Sequence, residues 1–272
     1  MDIFTLCLIS VVLKNMNGHL LSLLDIAKVA ASKAGRQVRD KKHGKNVFNF
    51  DQKNKKEIKA EMDTISENMI IDELRSTRIT ILSEEQGLID GEDKSGLLWI
   101  IDPIDGTYNY LKDLGPCSVS IALWDGENPV FGVIYAVDSD ELFWGGKKFG
   151  SFSESTRIHV SRETDIAYSS VCTGFPVRLN MSKGTSEKSF WRNIGGFSKV
   201  RMLGCASISL LNIARGSSEV YFESQIMIWD VAAGLAILEG AGGVYEAINL
   251  AEKYSLNVIG ANNEALLDNI NL

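Results

Sequence analysis

The sequence predicts a mixed α/β fold, and three observations predict it. Leu20, Leu23, Leu24, Ala27, Ala30, Ala31 and Ala34 recur at the spacing of one helix face. Between Ser118 and Trp144, short apolar runs alternate with turn residues, as in an antiparallel meander. Beyond Ile158, strand-like and helix-like stretches take turns toward the end of the chain.

Taken in order, Ile3 to Leu13 is an apolar run too short to span a bilayer. Asp2 is the only charge ahead of it and no small-residue cleavage site follows cleanly, so it does not read as a secretory leader. Residues 1–15 are read as an extension ahead of a cytoplasmic protein whose helical pattern begins near Met16, with Gly35 as the stop of the first helix. Residues 36–57 carry Arg36, Arg39, Lys41, Lys42, Lys45, Lys53, Lys55 and Lys56 among polar residues. This stretch reads as a solvated loop, with a basic flap over an anionic substrate as the alternative.

A second helix is expected over 63–76, burying Ile65, Met69 and Leu74, with Asp63 and Glu67 near its positive end. Strands follow at 79–82 and 97–101, the second halted by Pro103. Residues 118–124, 130–137 and 141–144 continue as strands, with Asp125-Gly-Glu-Asn-Pro129 as a hairpin turn. Strands near 167–172, 199–203 and 219–222 then interleave with helices near 187–194, 207–214 and 231–239. Gly240, Gly242 and Gly243 close the last helix before Val244.

At 272 residues, 45% hydrophobic and 23% charged, the chain can bury a substantial core in one large or two closely joined domains. No repeat or proline-rich linker divides it, so two halves, 16–150 and 151–272, are expected to share an interface and a ligand cleft. A net charge of -7 argues against sequence-independent binding to a nucleic-acid backbone. Cys7, Cys117, Cys172 and Cys205 are widely separated and His19, His43 and His159 are scattered, which argues against both a disulfide framework and a zinc centre. The chemistry is expected to run on carboxylates.

The most informative segment is Trp99-Ile-Ile-Asp-Pro-Ile-Asp-Gly-Thr107. An apolar run of the kind buried on both faces of a sheet delivers Asp102 and Asp105 into a turn shaped by Pro103 and Gly106. With the carbonyl of Ile104 between them, the two carboxylates present three oxygens to one volume, an arrangement that repels itself unless a cation neutralises it. Oxygen ligands suit a hard divalent ion, and magnesium in particular accepts carboxylates, waters and substrate phosphate. Asp63, Glu84, Asp102, Asp105 and Asp230 all stand at the start or end of predicted elements, and five carboxylates with one carbonyl suit two or three ions. Helix capping is the alternative for Asp63 and Asp230. Thr107 can orient an attacking water while Glu84 accepts its proton, and amides at Gly106 and Thr107 can hold phosphate oxygens.

Residues 99–107, Trp229-Asp-Val-Ala-Ala-Gly234 and the upstream Ser83-Glu-Glu85 resemble the signatures of the inositol monophosphatase family, in order over about residues 20–265. The resemblance implies an alternating α/β/α/β/α layered sandwich of the sugar-phosphatase kind, commonly a homodimer. The activity it implies is that of a magnesium-dependent, lithium-sensitive phosphatase working by direct in-line attack of metal-bound water. By the same resemblance Glu84, Asp102, the Ile104 carbonyl and Asp105 match the first metal site, and Asp102, Asp105 and Asp230 the second. Asp63 matches the acidic residue near the activating water and a third ion. Thr107 with Glu84 matches the water-activating pair, and Asp105, Gly106 and Thr107 the phosphate cradle. Two departures bear on substrate fit rather than on metal ligation: Ser83 where the family often has glycine, and Tyr108 where a second threonine usually follows. None of the lysines in 36–57 aligns with the family's catalytic-loop lysine.

Substrate choice falls to residues on the alcohol side. Glu223, seven residues before Asp230, matches the carboxylate that inositol phosphatases set against sugar hydroxyls, and Gly204-Cys205-Ala206 matches the segment lining the same pocket. A solvated strand end is the alternative for Glu223. The expected substrate is a small polyol monophosphate, myo-inositol 1-phosphate first. 3'-Phosphoadenosine 5'-phosphate, a sugar bisphosphate and histidinol phosphate are its rivals. An alternative of another class is a regulatory module that binds RNA polymerase or RNA, with catalysis secondary; otherwise neither nucleic acid nor membrane is an expected partner.

Overall fold

The computed structural model describes the backbone of residues 3–42, 61–175 and 185–272, and the side chains of 18–42, 61–175 and 188–272. The first part of the chain forms α1 (Ile3–Lys42), α2 (Glu61–Leu74), β1 (Thr80–Ser83), β2 (Gly87–Ile89), β3 (Leu98–Asp105), α3 (Thr107–Lys112), β4 (Ser118–Trp124) and β5 (Pro129–Ala136). Next come β6 (Glu141–Gly146), β7 (Gly150–Ser153), β8 (Thr156–Ile158), β9 (Ser170–Thr173), α4 (Thr185–Ile194), β10 (Lys199–Arg201) and α5 (Ala206–Ala214). The chain ends with β11 (Val220–Met227), α6 (Ile228–Gly240), β12 (Val244–Asn249), β13 (Ser255–Ala261) and α7 (Glu264–Leu267).

These strands build two sheets, one of eight strands in the order β2-β1-β3-β4-β5-β6-β7-β8 and one of five in the order β10-β9-β11-β13-β12. Period-two alternation explains how the first sheet is covered on both sides. Trp99 and Ile101 of β3, Val119 and Ile121 of β4, and Phe131 and Val133 of β5 pack with Leu24, Ala27 and Ala31 of α1 and Ile70 of α2. Their neighbours Ile100, Ala122 and Ile134 pack on the opposite side with Leu210 of α5 and Val231, Ala232 and Leu235 of α6. A third cluster joins Val171, Val220 and Ile259 of the second sheet to Phe190 and Ile194 of α4 and Leu266 and Leu267 of α7. The second cluster also takes in Cys172, Tyr221 and Val258 of the small sheet, so the three clusters fill the four seams between five layers: α1 with α2, the large sheet, α5 with α6, the small sheet, and α4 with α7. The layered α/β/α/β/α sandwich is the architecture. No helix among the described residues is long and apolar enough to cross a membrane.

α6 is apolar all round because it is the middle layer, with Ala232, Ala233 and Ala236 letting both sheets approach. The closest approach is at Gly132 of β5, where a Cβ would sit 2.1 Å from the carbonyl oxygen of Ala233. That slot sets the seat of the helix whose first turn carries Asp230.

Several local expectations need correction. The first helix starts at Ile3 and runs through Gly35 to Lys42. A Cβ at Gly35 would lie 2.1 Å from the Tyr135 ring, so this glycine opens a slot for an aromatic side chain and does not end the helix. Arg36, Arg39, Lys41 and Lys42 are consequently helical; Arg39 pairs with Asp140, and the buried Lys42 pairs with Asp138 and donates to the Gly115 carbonyl at 3.2 Å. Lys45, Lys53, Lys55 and Lys56, and with them the flap, lie outside the described residues. In α2 the buried face is Met62, Asp63, Ser66, Glu67, Ile70, Ile71 and Leu74, whereas Ile65 is 38% exposed. The apolar pattern missed this face because it turns three polar side chains inward. β3 continues through Pro103 to Asp105, and β2, β7, β8, β12 and β13 are additional strands. The large sheet thus takes strands as far as Ile158 before the chain crosses to the small one.

Gly132→Ala tests the seat of α6. The new methyl meets backbone on a helix packed from both sides, so the fold should lose about 2 kcal/mol, at the middle of the range for overpacked cores. Urea denaturation measures it, and an unchanged midpoint would show that the helix has room to shift.

Candidate active site

The site begins with an irregularity in β3. In a regular strand, residues three apart point to opposite faces, so Asp102 and Asp105 would diverge. Here Asp102 stands opposite Ser120 and Asp105 opposite Ser118, three steps along β3 against two along β4, with the register shift between them. Pro103, which has no N–H to give to a ladder, sits inside that bulge. The Asp102 side chain closes it by accepting from the Ile104 N–H at 2.9 Å, and Ser66 of α2 donates to the Pro103 carbonyl at 2.8 Å. The bulge turns both aspartates toward one pocket.

Asp230 arrives from the first turn of α6, where one of its oxygens accepts from the Met227 N–H at 3.2 Å. It therefore does cap its helix, as one reading of the sequence had it, and a single oxygen suffices for that. One oxygen from each of Asp102, Asp105 and Asp230 lies within 4.8 Å of the others. Glu84 follows directly on β1, which runs parallel to β3 with Ser83 beside Ile101, and its N–H donates to the Ile101 carbonyl at 3.3 Å. Asp63 on α2 faces the same space: the Thr107 hydroxyl is 3.3 Å from Asp63 Oδ1 and 2.9 Å from the Ile104 carbonyl. Thr107 is thus seated on Asp63 and Ile104, and no bond joins it directly to Glu84.

Gly106 has φ +87, a left-handed conformation that side chains rarely adopt, and a Cβ there would lie 3.2 Å from the Gly204 carbonyl and 3.3 Å from Cys205 Cβ. The turn and the Gly204-Cys205-Ala206 segment are therefore neighbours. Cys205 Sγ lies 3.1 Å from Asp105 Oδ2, and the Ser207 N–H donates to the same oxygen at 2.7 Å. Glu223 stands on β11 just ahead of a register shift against β13, with Tyr221 donating to it at 3.0 Å.

Electrostatics mark the pocket as one in which negative charge is crowded. Burial raises the proton affinity of Asp102, Asp105 and Asp230, and for Asp102 and Asp230 neighbouring carboxylates add to it. Burial also lifts Glu84 to about 8, with Asp63, Glu85 and Asp105 contributing, and Glu223 to about 7. Asp102 Oδ2 is buried with no hydrogen-bond donor while the neighbouring carboxyls are ionised; Glu84, beside Asp102, can donate to it only when protonated. An oxygen so placed lacks the partner that burial normally demands. A hard cation supplies it, and three carboxylates with an adjacent carbonyl are the donor set such an ion accepts, so these residues fit one.

Two residues of the site escaped the sequence reading. Glu67, one turn beyond Asp63 on the buried face of α2, accepts from the Ser83 hydroxyl, from the Gln86 N–H at 3.0 Å and from the Gln86 side chain at 2.9 Å. It ties the turn that carries Glu84 to the helix that carries Asp63, and its four-residue spacing from Asp63 was the signal available. Asn109 of α3 donates to the carbonyls of Pro116 at 2.9 Å, Leu203 at 2.7 Å and Gly204 at 3.3 Å, tying the helix that follows the Gly106 turn to the start of the 204–206 segment.

Fold and site together define a layered α/β protein with a largely buried pocket of oxygen donors that fit a cation. The chain belongs to the inositol monophosphatase family, whose sequence model matches residues 19–271, and is accordingly a phosphatase, a phosphoric monoester hydrolase. It is 32% identical over 253 residues to the "fructose-1,6-bisphosphatase/inositol-1-monophosphatase" of Aquifex aeolicus, covering 92% of this chain and 94% of the other. It is 33% identical over 225 residues to the "inositol-1-monophosphatase" of Mesorhizobium japonicum, covering 82% and 84%, and 29% identical over 244 residues to the "Nus factor SuhB" of Escherichia coli K12, covering 88% and 91%. Among solved structures, the SuhB protein of Bartonella henselae superposes with a TM-score of 0.82 at 29% identity, covering 91% of this chain and 96% of that one. The inositol monophosphatase of Anabaena gives 0.77 at 29%, covering 92% and 94%. The family is generally metal-dependent.

The raised carboxylates give stability a definite pH dependence. A group whose folded pKa exceeds its unfolded value stabilises the fold while protonated, and that contribution is lost as pH rises through the folded value. For Glu84 the window runs from 4.5 to about 8, with the aspartates acting in the same direction. In EDTA the melting temperature should therefore fall by about 5 °C or more across that window, and magnesium should restore it at the upper end but not at the lower. A metal-free melting temperature that rises with pH would contradict the crowded-charge account.

Proposed function

We propose that this protein is a magnesium-dependent phosphomonoesterase that hydrolyses a small polyol monophosphate, myo-inositol 1-phosphate first among them. The observation that carries the proposal is the convergence of Asp102, Asp105 and Asp230 beside the Gly106 turn and within electrostatic reach of Glu223. Asp102, Asp105, Asp230, Glu84 and the Ile104 carbonyl would hold two or three magnesium ions, with Asp63 serving the third. Bound there, magnesium supplies positive charge against the phosphate and acidifies a coordinated water.

The chain's own groups do the positioning. The amides at Gly106 and Thr107 would hold phosphate oxygens. Thr107, fixed on the Ile104 carbonyl, orients the attacking water, and Glu84 takes the proton that water loses. Attack is in line with the leaving alcohol. Glu223, held by Tyr221, reads the hydroxyls of that alcohol, and a half-buried acceptor of this kind disfavours substrates that lack them.

The Nus factor names borne by relatives of 29–32% identity favour a second reading, in which the protein acts in transcription and its chemistry is secondary. The two readings separate on Asp102→Asn, which should lower turnover at least about 100-fold, more than loss of an outer-sphere partner. A cell that depends on catalysis loses the function with this variant, whereas one that depends on binding retains it.

Activity should require magnesium and disappear with chelator; full rate in EDTA would remove the metal from the proposal. Glu223→Gln should reduce kcat/KM for myo-inositol 1-phosphate about tenfold more than for p-nitrophenyl phosphate, the cost of one mispaired hydroxyl contact. Equal losses on both substrates would take Glu223 out of substrate choice.

A further inference from the structure

The two aspartates of the bulge are held very differently. Asp102 has one buried oxygen without a donor, whereas Asp105 Oδ2 receives three: the Ser207 N–H at 2.7 Å, the Ser207 hydroxyl, and Cys205 Sγ at 3.1 Å. The Ser207 hydroxyl in turn lies 2.6 Å from that of Ser118, the residue directly across the ladder from Asp105. Ser118 and Ser207 are both completely buried.

A hydroxyl has one proton to give, which orders the chain. Ser207 spends its proton on the carboxylate, and Ser118 donates to Ser207. Ser207 is the second residue of α5, so its N–H belongs to the unpaired first turn, where a carboxylate is favoured electrostatically. β3 and α5 thus meet on one carboxylate oxygen, and β4 joins them through the Ser207 hydroxyl.

The geometry points to Ser118 and Ser207 as a positioning relay that occupies Asp105 Oδ2 and so presents Oδ1, in a fixed orientation, as the single oxygen Asp105 offers to a cation. This inference rests on the magnesium reading above, and the relay acts through Asp105 without touching the substrate. It also explains why a serine pair is buried at a seam where alanine would pack: removing either hydroxyl leaves a neighbouring polar atom short of a partner. Outer-sphere partners of this kind are worth roughly 10- to 100-fold in metal affinity.

Calorimetric titration of the metal-free protein with magnesium tests it. Wild type should bind, Ser207→Ala should bind about tenfold more weakly, and Ser118→Ala should weaken binding by a smaller factor, in keeping with its place one bond further out. The double variant should be no worse than Ser207→Ala alone, because a relay broken at its inner link gains nothing from its outer one. Melting in EDTA separates the relay from simple packing, since a merely structural role lowers that melting temperature and leaves the affinity of the folded protein unchanged. Unaltered magnesium affinity in folded Ser207→Ala, or strictly additive losses in the double variant, would overturn the relay while leaving the metal reading intact. Failure of wild type to bind magnesium would overturn both. Should Ser207→Ala not fold, Ser118→Ala carries the same test, with unchanged affinity again overturning the relay.

Discussion

Mutual repulsion among carboxylates in a space too dry to screen them is the constraint around which this molecule is arranged. Asp102, Asp105 and Asp230 are drawn from a bulged strand and a helix start more than a hundred residues apart, and burial raises the proton affinity of each. Such a grouping persists only because the layers on either side fix the backbone from which each side chain projects. The β3 bulge aims two of them, the Gly132 slot seats the helix that carries the third, and Glu67 locks the turn that brings Glu84 alongside.

The division of labour between polar and apolar residues follows the same logic. The face of α2 toward the sheet mixes Ile70, Ile71 and Leu74 with Asp63, Ser66 and Glu67. Its lower half packs and its upper half works. In β3 the alternating residues Trp99 to Ile101 fill two separate cores, and the strand breaks its regular pleat only where the chemistry begins. Within β3 the buried oxygen without a donor belongs to Asp102, near the end of an otherwise apolar element, as is common where a fold carries a site.

Much of this was legible in the sequence. The apolar run ending in two aspartates, the helix around Asp230 and the meander of β4 to β6 all follow from periodicity and turn residues, and the acidic positions stood out because five of them closed predicted elements. What stayed hidden shares one physical cause: a residue's partner lies far away in sequence. Gly35 reads as a helix stop until Tyr135 is seen to fill its slot. Ile65 reads as core until Ser66 and Glu67 are found facing inward. Ser207 reads as an ordinary residue of a helix's first turn, with nothing local to show that Asp105 is its partner. β13 received no assignment from the sequence, and it is the pairing with β11 and β12 on its two sides that makes it a strand.

Asp230 has a double allegiance. One oxygen holds the Met227 amide, and so the opening coil of α6, while the carboxylate also stands among the cation's prospective ligands. Ligand and backbone therefore share a single lever. Whatever pulls this carboxylate toward the pocket also tugs on the amide that starts the central rod, and loosening of that first coil would be felt at once by the metal. The stiffness of the innermost layer and the occupancy of the pocket are thereby made one mechanical quantity.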